Sequence, residues 1–563
     1  RSTGKVRWRQ SAVPPECYRL QCAGNILLLG GRAAFDRDGG GLVWIHSLRS
    51  YQPALVAGSR VVLRPFARDL LSGKLLTVED PSSGISRPRF IPRAYGCGPL
   101  TGSRDLLFFR SGTLGIYDWN QHGTSTLGGV RPGCGVNAVP ANGLLILPEA
   151  ASGCTCSYNF QTSLAFKPSG KKRDLWYVIP RQSNPGPVRR LCLNFGAPGD
   201  RRDSEDRVWY GSPRPQMQGE APCPAVFPAQ HPETRCFPDE TVETSDSSKP
   251  DWLYRSVLCE AGKIRLKLCR RPLSVENCNQ PPEIDGVPDD NAWRGKPSFR
   301  LLDNRNRKNP DVILRMCRDK ENIYLMYCRK APVRDGVRLP FKHTRKGLAG
   351  DFWRDDSLQL ILCDSRKQNA AHFALTCGNA WFQNTQNIRT LEANMEWPAQ
   401  WNHAVSTNSL AWSAEIAVPL TILEHAGINT ENLHVNVKSR NRTGTGPPLL
   451  HLLHPGQYGF AYCQTFLPLK EKVRHLPEKL FTVTLHFCEN QNISAGKRVF
   501  DIFLQGQPVA QDIDIIAKTG KQGKPMATTF KDINVRGELV LELLPHRNSL
   551  PPILCAMEIV LEE

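Results

Sequence analysis

The sequence predicts an all-β protein made of several units, and three observations carry that prediction. Gly and Pro are plentiful, 45 and 44 of 563 residues, and are spread along the chain, which suits short strands and turns better than long helices. Apolar runs are short, and some alternate with polar residues at a period of two, as in Phe481-Thr482-Val483-Thr484-Leu485-His486-Phe487. At about 150 residues per domain, 563 residues make three or four domains.

The chain carries 72 Lys and Arg against 53 Asp and Glu, a net charge of +19. Such a balance favours anionic partners: acidic glycans, phospholipid surfaces or nucleic acid. The cations are dispersed and no arginine-rich helix accompanies them, so specific nucleic-acid recognition is not expected. No run approaches 18 apolar residues, so no membrane-spanning helix is expected. There are 19 cysteines, an odd number, without zinc-type or haem-attachment spacing. Cys154-Thr155-Cys156 is the tight cluster, and either cysteine could bridge to Cys134 in an oxidising compartment. Cys317, Cys328, Cys363, Cys488 and Cys555 sit in apolar runs, where a thiol behaves as a small hydrophobe. The chain opens on Arg1 without Met and in mid-motif. The expectation is a fragment of a longer secreted, periplasmic or cell-surface protein whose leader lies upstream. No Gly-x-Ser-x-Gly, His-Glu-x-x-His or Walker loop is present, and no motif identifies a pair of hydrolytic carboxylates, so a non-catalytic protein is expected.

Residues 1–170 echo a short theme. Thr3-Gly4-Lys5-Val6-Arg7-Trp8, then Asp36-Arg37-Asp38-Gly39-Gly40-Gly41-Leu42-Val43-Trp44, then Asp69-Leu70-Leu71-Ser72-Gly73-Lys74-Leu75-Leu76 repeat a Gly turn and an apolar pair at intervals of roughly 30 to 40 residues. This resembles the repeats of pyrroloquinoline-quinone-type β-propellers, whose Trp packs between neighbouring blades. Arg131–Pro140 and Gly153–Cys156 look like the closing blades of propellers in large planctomycete-type bacterial proteins. The resemblance implies a partial propeller that serves structure or protein contacts. Quinoprotein dehydrogenases hold their cofactor under an adjacent Cys-Cys pair, which this chain lacks, so quinone is not expected to bind.

Two distant segments, 172–275 and 470–563, read as halves of one domain. The order His486-Phe487, Arg498-Val499-Phe500-Asp501, Gly506, Asp512-Ile513-Asp514-Ile515, Pro551-Pro552-x-x-Cys555-Ala556 resembles the malectin domain, and Asn194-Phe195-Gly196 with Trp209 resembles its start. Trp209, Tyr210, Trp252 and Tyr254 are candidate platforms for a sugar face; core or interface packing is the alternative. Where the family places an acidic residue before its last strand, this chain has Leu550.

Residues 278–468 form the third unit. Ile284-Asp285-Gly286 with Trp293 resembles the opening of the family 9 carbohydrate-binding module and its relatives of the dopamine-monooxygenase N-terminal type. Trp353-Arg354-Asp355-Asp356-Ser357-Leu358-Gln359, Trp412–Pro419 and Val435–Arg440 follow in the family's order. Val312–Cys317 and Ile323–Cys328 flank a turn at Asp319–Asn322 and read as a hairpin. In the family two tryptophans sandwich a sugar. Trp353 matches the first, and His454 or Tyr458 stands near the place of the second. Gln359 replaces the pattern's Glu. Trp293 reads as core. Asp355, Asp356 and Glu415 offer the oxygen ligands that calcium takes, with turn capping as the alternative. Relatives that carry haem between Met and His make Met316, Met326 and Met395 a further alternative. The resemblances together imply a partial β-propeller followed by a malectin-like β-sandwich that a second carbohydrate-binding sandwich interrupts. They also imply glycan partners, possibly acidic. An enzyme, either a quinone-dependent oxidoreductase or an accessory part of a carbohydrate-degrading one, is the alternative.

Overall fold

The computed structural model describes residues 5–10, 19–46, 53–133, 135–149, 162–169, 175–180, 188–213, 225–227, 232–237, 242, 250–269, 272–299, 301, 311–331, 333–334, 337–338, 347–348, 355–364, 368–388, 393–441, 449–452, 467–470 and 476–562. The chain is built mainly of strands. Among the described residues the α-helices are Leu420–His425 and Ile515–Thr519, and the latter continues a stretch expected as strand.

The first region is a run of antiparallel meanders. Leu20–Ala23, Ile26–Leu29, Ala33–Asp36 and Leu42–Ile45 form one sheet, Leu55–Ala57, Arg60–Leu63 and Phe66–Asp69 the next, and Thr101–Gly102, Leu106–Ser111, Thr113–Asp118 and Gly123–Leu127 a third. A shorter one follows from Val139–Ala141, Leu144–Leu147 and Leu164–Phe166. The echo in the sequence has a physical meaning. Gly40 and Gly73 close turns in which their N–H groups donate to Asp36 O at 2.9 Å and Asp69 O at 3.0 Å. Both have positive φ, 73° and 67°, so glycine meets no Cβ penalty. Their bare Cα atoms also make room for a ring: a Cβ at Gly40 would lie 2.5 Å from Trp8, and one at Gly73 2.5 Å from Trp44. Each indole then donates to the turn, Trp8 Nε1 to Arg37 O at 2.9 Å and Trp44 Nε1 to Leu70 O at 2.8 Å. No closed ring of blades is seen among the described residues.

Segments 190–268 and 479–561 share one sandwich. Arg190–Phe195 runs parallel to Val208–Ser212 on one side and antiparallel to Ala556–Leu561 on the other, with Leu193 opposite both Tyr210 and Met557. Lys479–Phe487 pairs with Ala556–Leu561, so strands from both ends of the chain interleave in a single sheet. The facing sheet takes Lys263–Lys267 from the first segment and Val499–Leu504, Gln507–Asp514 and Glu538–Pro545 from the second. The alternation in Phe481–Phe487 sends Phe481, Val483, Leu485 and Phe487 into a core shared with Leu193, Phe195 and Ile264.

The inserted sandwich has its own core around Tyr327, Phe373 and Trp412. One sheet holds Val312–Arg318, Asn322–Lys330, Ala411–Pro419 and Asn402–Thr407. The expected hairpin is present: Arg318 pairs with Ile323, and Asp319 Oδ1 accepts the N–H groups of Glu321 and Asn322 at 2.8 and 2.7 Å. The other sheet orders Leu433–Asn441, Ser357–Asp364, Asn369–Thr376 and Ala380–Asn387 side by side. Cys317, Cys363, Cys488 and Cys555 are buried, and Cys328 is half-buried.

Several expected ligand groups turn out to be packing groups. Trp209, Tyr210, Trp252 and Tyr254 all lie in the core of the split sandwich, with Trp209 fully buried. Trp209 and Tyr254 meet His486 edge-on at 5.5 and 5.8 Å, and Trp252 meets Trp176 at 6.0 Å. A ring covered in this way has no free face for a sugar. Met316 and Met326 are core residues of the inserted sandwich, while exposed Met395 accepts a contact from Asn384 at 3.5 Å; no Met–His pair for haem is formed among them. Trp353, His454, Tyr458, Cys134, Cys154 and Cys156 lie outside the described residues.

Candidate ligand face of the inserted sandwich

Alternation decides what the larger sheet of the insertion shows on each side. Leu358, Leu360, Leu362, Ala371, Phe373, Leu375, Val435 and Val437 point into the core. Their neighbours in sequence therefore line the opposite face. Cross-strand register brings these together: Gln359 lies opposite Lys438 on one side and Ala374 on the other, and Ile361 lies opposite Asn436 and His372. His372 in turn lies opposite Asn384, and Ala374 opposite Phe382. The result is two adjacent rows on one face, Asn384–His372–Ile361–Asn436 and Phe382–Ala374–Gln359–Lys438, so the polar groups Asn384, His372, Gln359 and Lys438 lie on a diagonal with Ile361 and Ala374 between them, and Gln386 and Arg440 share the face.

This face is desolvated as well as polar. Gln359 and Asn436 are fully buried, and His372, Asn384 and Gln386 nearly so. Burial lowers the Lys438 ammonium from its ordinary range to about 8, and the neighbouring Arg440 guanidinium adds to that. Burial likewise pushes His372 down to about 3, with Lys438 contributing, so the imidazole is neutral at pH 7. His372 meets the Phe382 ring edge-on at 5.7 Å. Asn384 Oδ1 is buried without a hydrogen-bond partner. No carboxylate occupies a position on this face within the four strands. With Gln359 in place of an acid, the formal charge here is that of Lys438 and Arg440. Amide, imidazole, ammonium and guanidinium groups on a rigid sheet can bind hydroxyls and an acidic group.

Sequence reasoning reached Gln359 and the strand Val435–Arg440, but not His372, Asn384, Gln386 or Lys438 as partners. The signal was present as alternation: His372 stands between Ala371 and Phe373, and Lys438 between Val437 and Ser439.

The expected oxygen ligands are otherwise engaged. Glu415 accepts Trp293 Nε1 at 2.7 Å and the N–H groups of Gly286 and Asp285 at 3.1 and 3.3 Å. Asp356 faces Arg329 Nη1 at 3.4 Å, and the buried Asp355 does not join Asp356 and Glu415 in a metal-type cluster. Among the described residues the cluster of that type is Asp501, Asp512 and His546, on the split sandwich. There His546 Nε2 lies 3.0 Å from Asp501 Oδ1 and 3.7 Å from Asp512 Oδ1, an exposed ion pair with too few oxygens for calcium's usual six to eight.

The family model described as the malectin domain matches residues 474–548. No curated protein matches the chain. Among solved structures, a Bacteroides uniformis protein assigned to carbohydrate binding is similar over 35% of this chain and 97% of its own, at 17% identity and a TM-score of 0.29. A family 9 carbohydrate-binding module from Caldicellulosiruptor kristjanssonii, in complex with glucose, is similar over 37% and 99% at 12% identity and a TM-score of 0.27. The ANX2 ectodomain from Arabidopsis thaliana is similar over 67% and 97% at 9% identity and a TM-score of 0.14.

Proposed function

We propose that the chain is a non-catalytic glycan-binding protein of the secreted space or cell envelope, and that its ligand is an acidic saccharide. In this reading residues 1–170 are propeller-like repeats that serve protein contacts. Residues 172–275 and 470–563 make one malectin-like domain, and 278–468 is a carbohydrate-binding sandwich set into it. The observation that carries the reading is that four neighbouring strands bring Asn384, His372, Gln359, Lys438 and Arg440 to one face and place no carboxylate of their own on it. Hydroxyls with a carboxylate or sulfate match the kinds of donor present. Trp353 is the stacking ring in this reading, with His454 or Tyr458 in the second place. The malectin match over 474–548 supports a saccharide-binding setting for the rest of the chain.

The test is a glycan array followed by calorimetry of the full chain with a uronate-containing and a neutral oligosaccharide of equal length. The reading expects binding of the acidic ligand, weakened in Lys438→Met and in Trp353→Ala. Equal affinity for both oligosaccharides, unchanged in Lys438→Met, would overturn it.

A further inference from the structure

The third joint of the meander region departs from the first two, and buried donors without hydrogen-bond partners gather there. At the first two joints a Trp lies on a turn glycine, Trp8 on Gly40 and Trp44 on Gly73. At the third, Thr77 stands where Trp44 stood relative to the turn aspartate (Asp69 to Thr77, as Asp36 to Trp44), and His122, at φ 55°, replaces the glycine of the turn that begins at Asp118.

The space is organised around Trp119, which is 2% exposed. Arg60 and Arg89 place their guanidinium carbons 4.6 and 5.5 Å from its ring centroid, and Tyr117 meets it edge-on at 5.2 Å. Arg87 and Arg202 lie within electrostatic range of Arg89 and His122. Most of these cations are engaged. Arg60 donates to Arg104 O at 2.8 Å, and Arg87 donates to Pro180 O at 2.8 Å and faces Asp80 at 3.5 Å. Arg202 donates to Gln121 O at 3.2 Å and to Asp206 Oδ1 at 2.8 Å. Asp118 Oδ1 accepts the N–H groups of Asn120 and Gln121 at 2.8 and 3.2 Å.

Arg89 is the exception. It has neither an ion pair nor a hydrogen bond from its side chain among the described residues, and its Nε is buried without an acceptor. Tyr117 Oη, Trp119 Nε1 and His122 Nδ1 are also buried without hydrogen-bond partners. Burial and the neighbouring arginines lower the Arg89 guanidinium from its ordinary value, and burial holds His122 near 4 and Tyr117 near 12, so imidazole and phenol are neutral at pH 7. Buried donors without an acceptor beside a cation are costly unless something negative meets them. A cavity of about 390 Å³ reaches His122 where the meanders meet the split sandwich, lined by Arg190 and Arg202 together with the carboxylates of Glu79, Asp80, Glu205 and Asp206.

We propose that this joint binds a small oxyanion, a phosphate or sulfate group either free or carried on a sugar, between Arg89, Trp119 Nε1 and Tyr117 Oη. The guanidinium presents paired N–H groups that fit two oxygens of such a group, while the indole and phenol add neutral donors. The site is independent of the face on the inserted sandwich.

The experiment is calorimetry of the full chain with inorganic phosphate, inorganic sulfate and, at matched ionic strength, chloride, on the native protein and on Arg89→Met, Tyr117→Phe and Trp119→Phe. Phosphate or sulfate should bind where chloride does not, with affinity falling about tenfold or more in Arg89→Met and several-fold in Tyr117→Phe. Tyr117→Phe keeps the packing, so it decides the matter should Arg89→Met fail to fold. A sugar sulfate or sugar phosphate that binds more tightly than the inorganic ion supports a glycan-borne group, and equal affinity supports the free ion. If phosphate, sulfate and chloride behave alike, or if Tyr117→Phe and Arg89→Met both bind as the native protein does, the donors hold water only and the proposal fails.

Discussion

Glu415 Oε1 accepts the indole N–H of Trp293 at 2.7 Å, joining two residues 122 positions apart. The other oxygen of the same carboxylate accepts the backbone of Gly286 and Asp285. One side chain thus fastens the Ile-Asp-Gly turn and the Trp that follows it onto the sheet of the insertion. Gly286 has φ 87°, and a Cβ there would lie 2.7 Å from Val405 C, so the turn must lie flat on the strand Asn402–Thr407. Glu415→Ala removes the acceptor of three donors at once. Leaving such donors buried costs about 1–3 kcal/mol each, discounted where water can enter. The unfolding transition of the inserted sandwich, followed by calorimetry, should therefore drop by about 2–4 kcal/mol.

The same residue makes that transition depend on pH. Burial pushes Glu415 up to about 7, against the three hydrogen bonds that favour its carboxylate. A carboxyl whose folded pKa lies above its ordinary 4.5 stabilises the fold fully below about 4.5, and the stabilisation is lost as pH rises through about 7. His372, held down to about 3, acts in the opposite sense: it costs stability as pH falls below its ordinary 6.5. The quantity to measure is therefore the difference between the native protein and Glu415→Gln, which keeps His372 and cannot ionise. Relative to that variant, the native protein should lose stability between pH 5 and pH 8. A difference that is flat, or that grows with pH, would mean that the three donors outweigh burial.

Part of this was legible in the sequence and part was not. The Asp319–Asn322 hairpin, the alternation of Phe481–Phe487 and the burial of Trp293 follow from short-range pattern, and the structure has all three. The meeting of Leu193 with Phe481–Phe487 in one sheet was legible only through the order of motifs at both ends of the chain. Trp209 and Tyr210 were misjudged as stacking candidates for a definite reason. Val208–Ser212 is covered on both sides, so adjacent residues that ought to point to opposite faces are both buried. The diagonal from Asn384 to Lys438 escaped because it is made of register. Four strands contribute one position each, and no single strand shows that Lys438 lies opposite Gln359 or Asn384 opposite His372.

The indole-on-glycine joint of the meanders can be tested directly. Gly73→Ala places a Cβ at a positive-φ position and 2.5 Å from Trp44, so the ring must leave its seat and its hydrogen bond to Leu70 O. Strain and lost packing together should cost about 2–4 kcal/mol. Hydrogen exchange should show faster opening of Leu42–Ile45 and Phe66–Asp69, with Lys479–Phe487 unchanged. Trp44→Ala should speed exchange in the same strands without backbone strain, at about 3–5 kcal/mol for a buried Trp.

The proposed ligand face makes the sharpest prediction, because Lys438 titrates near neutrality. With the ammonium lowered to about 8, the face carries two cations at pH 7 and mainly Arg440 at pH 9. An acidic oligosaccharide loses one charge partner across that interval, while a neutral one loses at most a hydrogen-bond donor. A partly buried charge pair contributes about 1–2 kcal/mol, roughly five- to thirtyfold between the two protonation states; with about a tenth of Lys438 still charged at pH 9, affinity for the acidic ligand should fall roughly four- to eightfold from pH 7 to pH 9. The neutral ligand should change little. A bound carboxylate would raise the Lys438 pKa in the complex, so proton uptake should accompany binding near pH 8 and appear in calorimetry as a dependence on the buffer's ionisation enthalpy. Lys438→Met should abolish both the uptake and the pH dependence. Arg440→Met should instead raise the Lys438 pKa, since the guanidinium no longer repels its ammonium, and move the fall in affinity to higher pH. Acidic-ligand affinity that is flat from pH 7 to pH 9, with no proton uptake, would place the charge partner elsewhere.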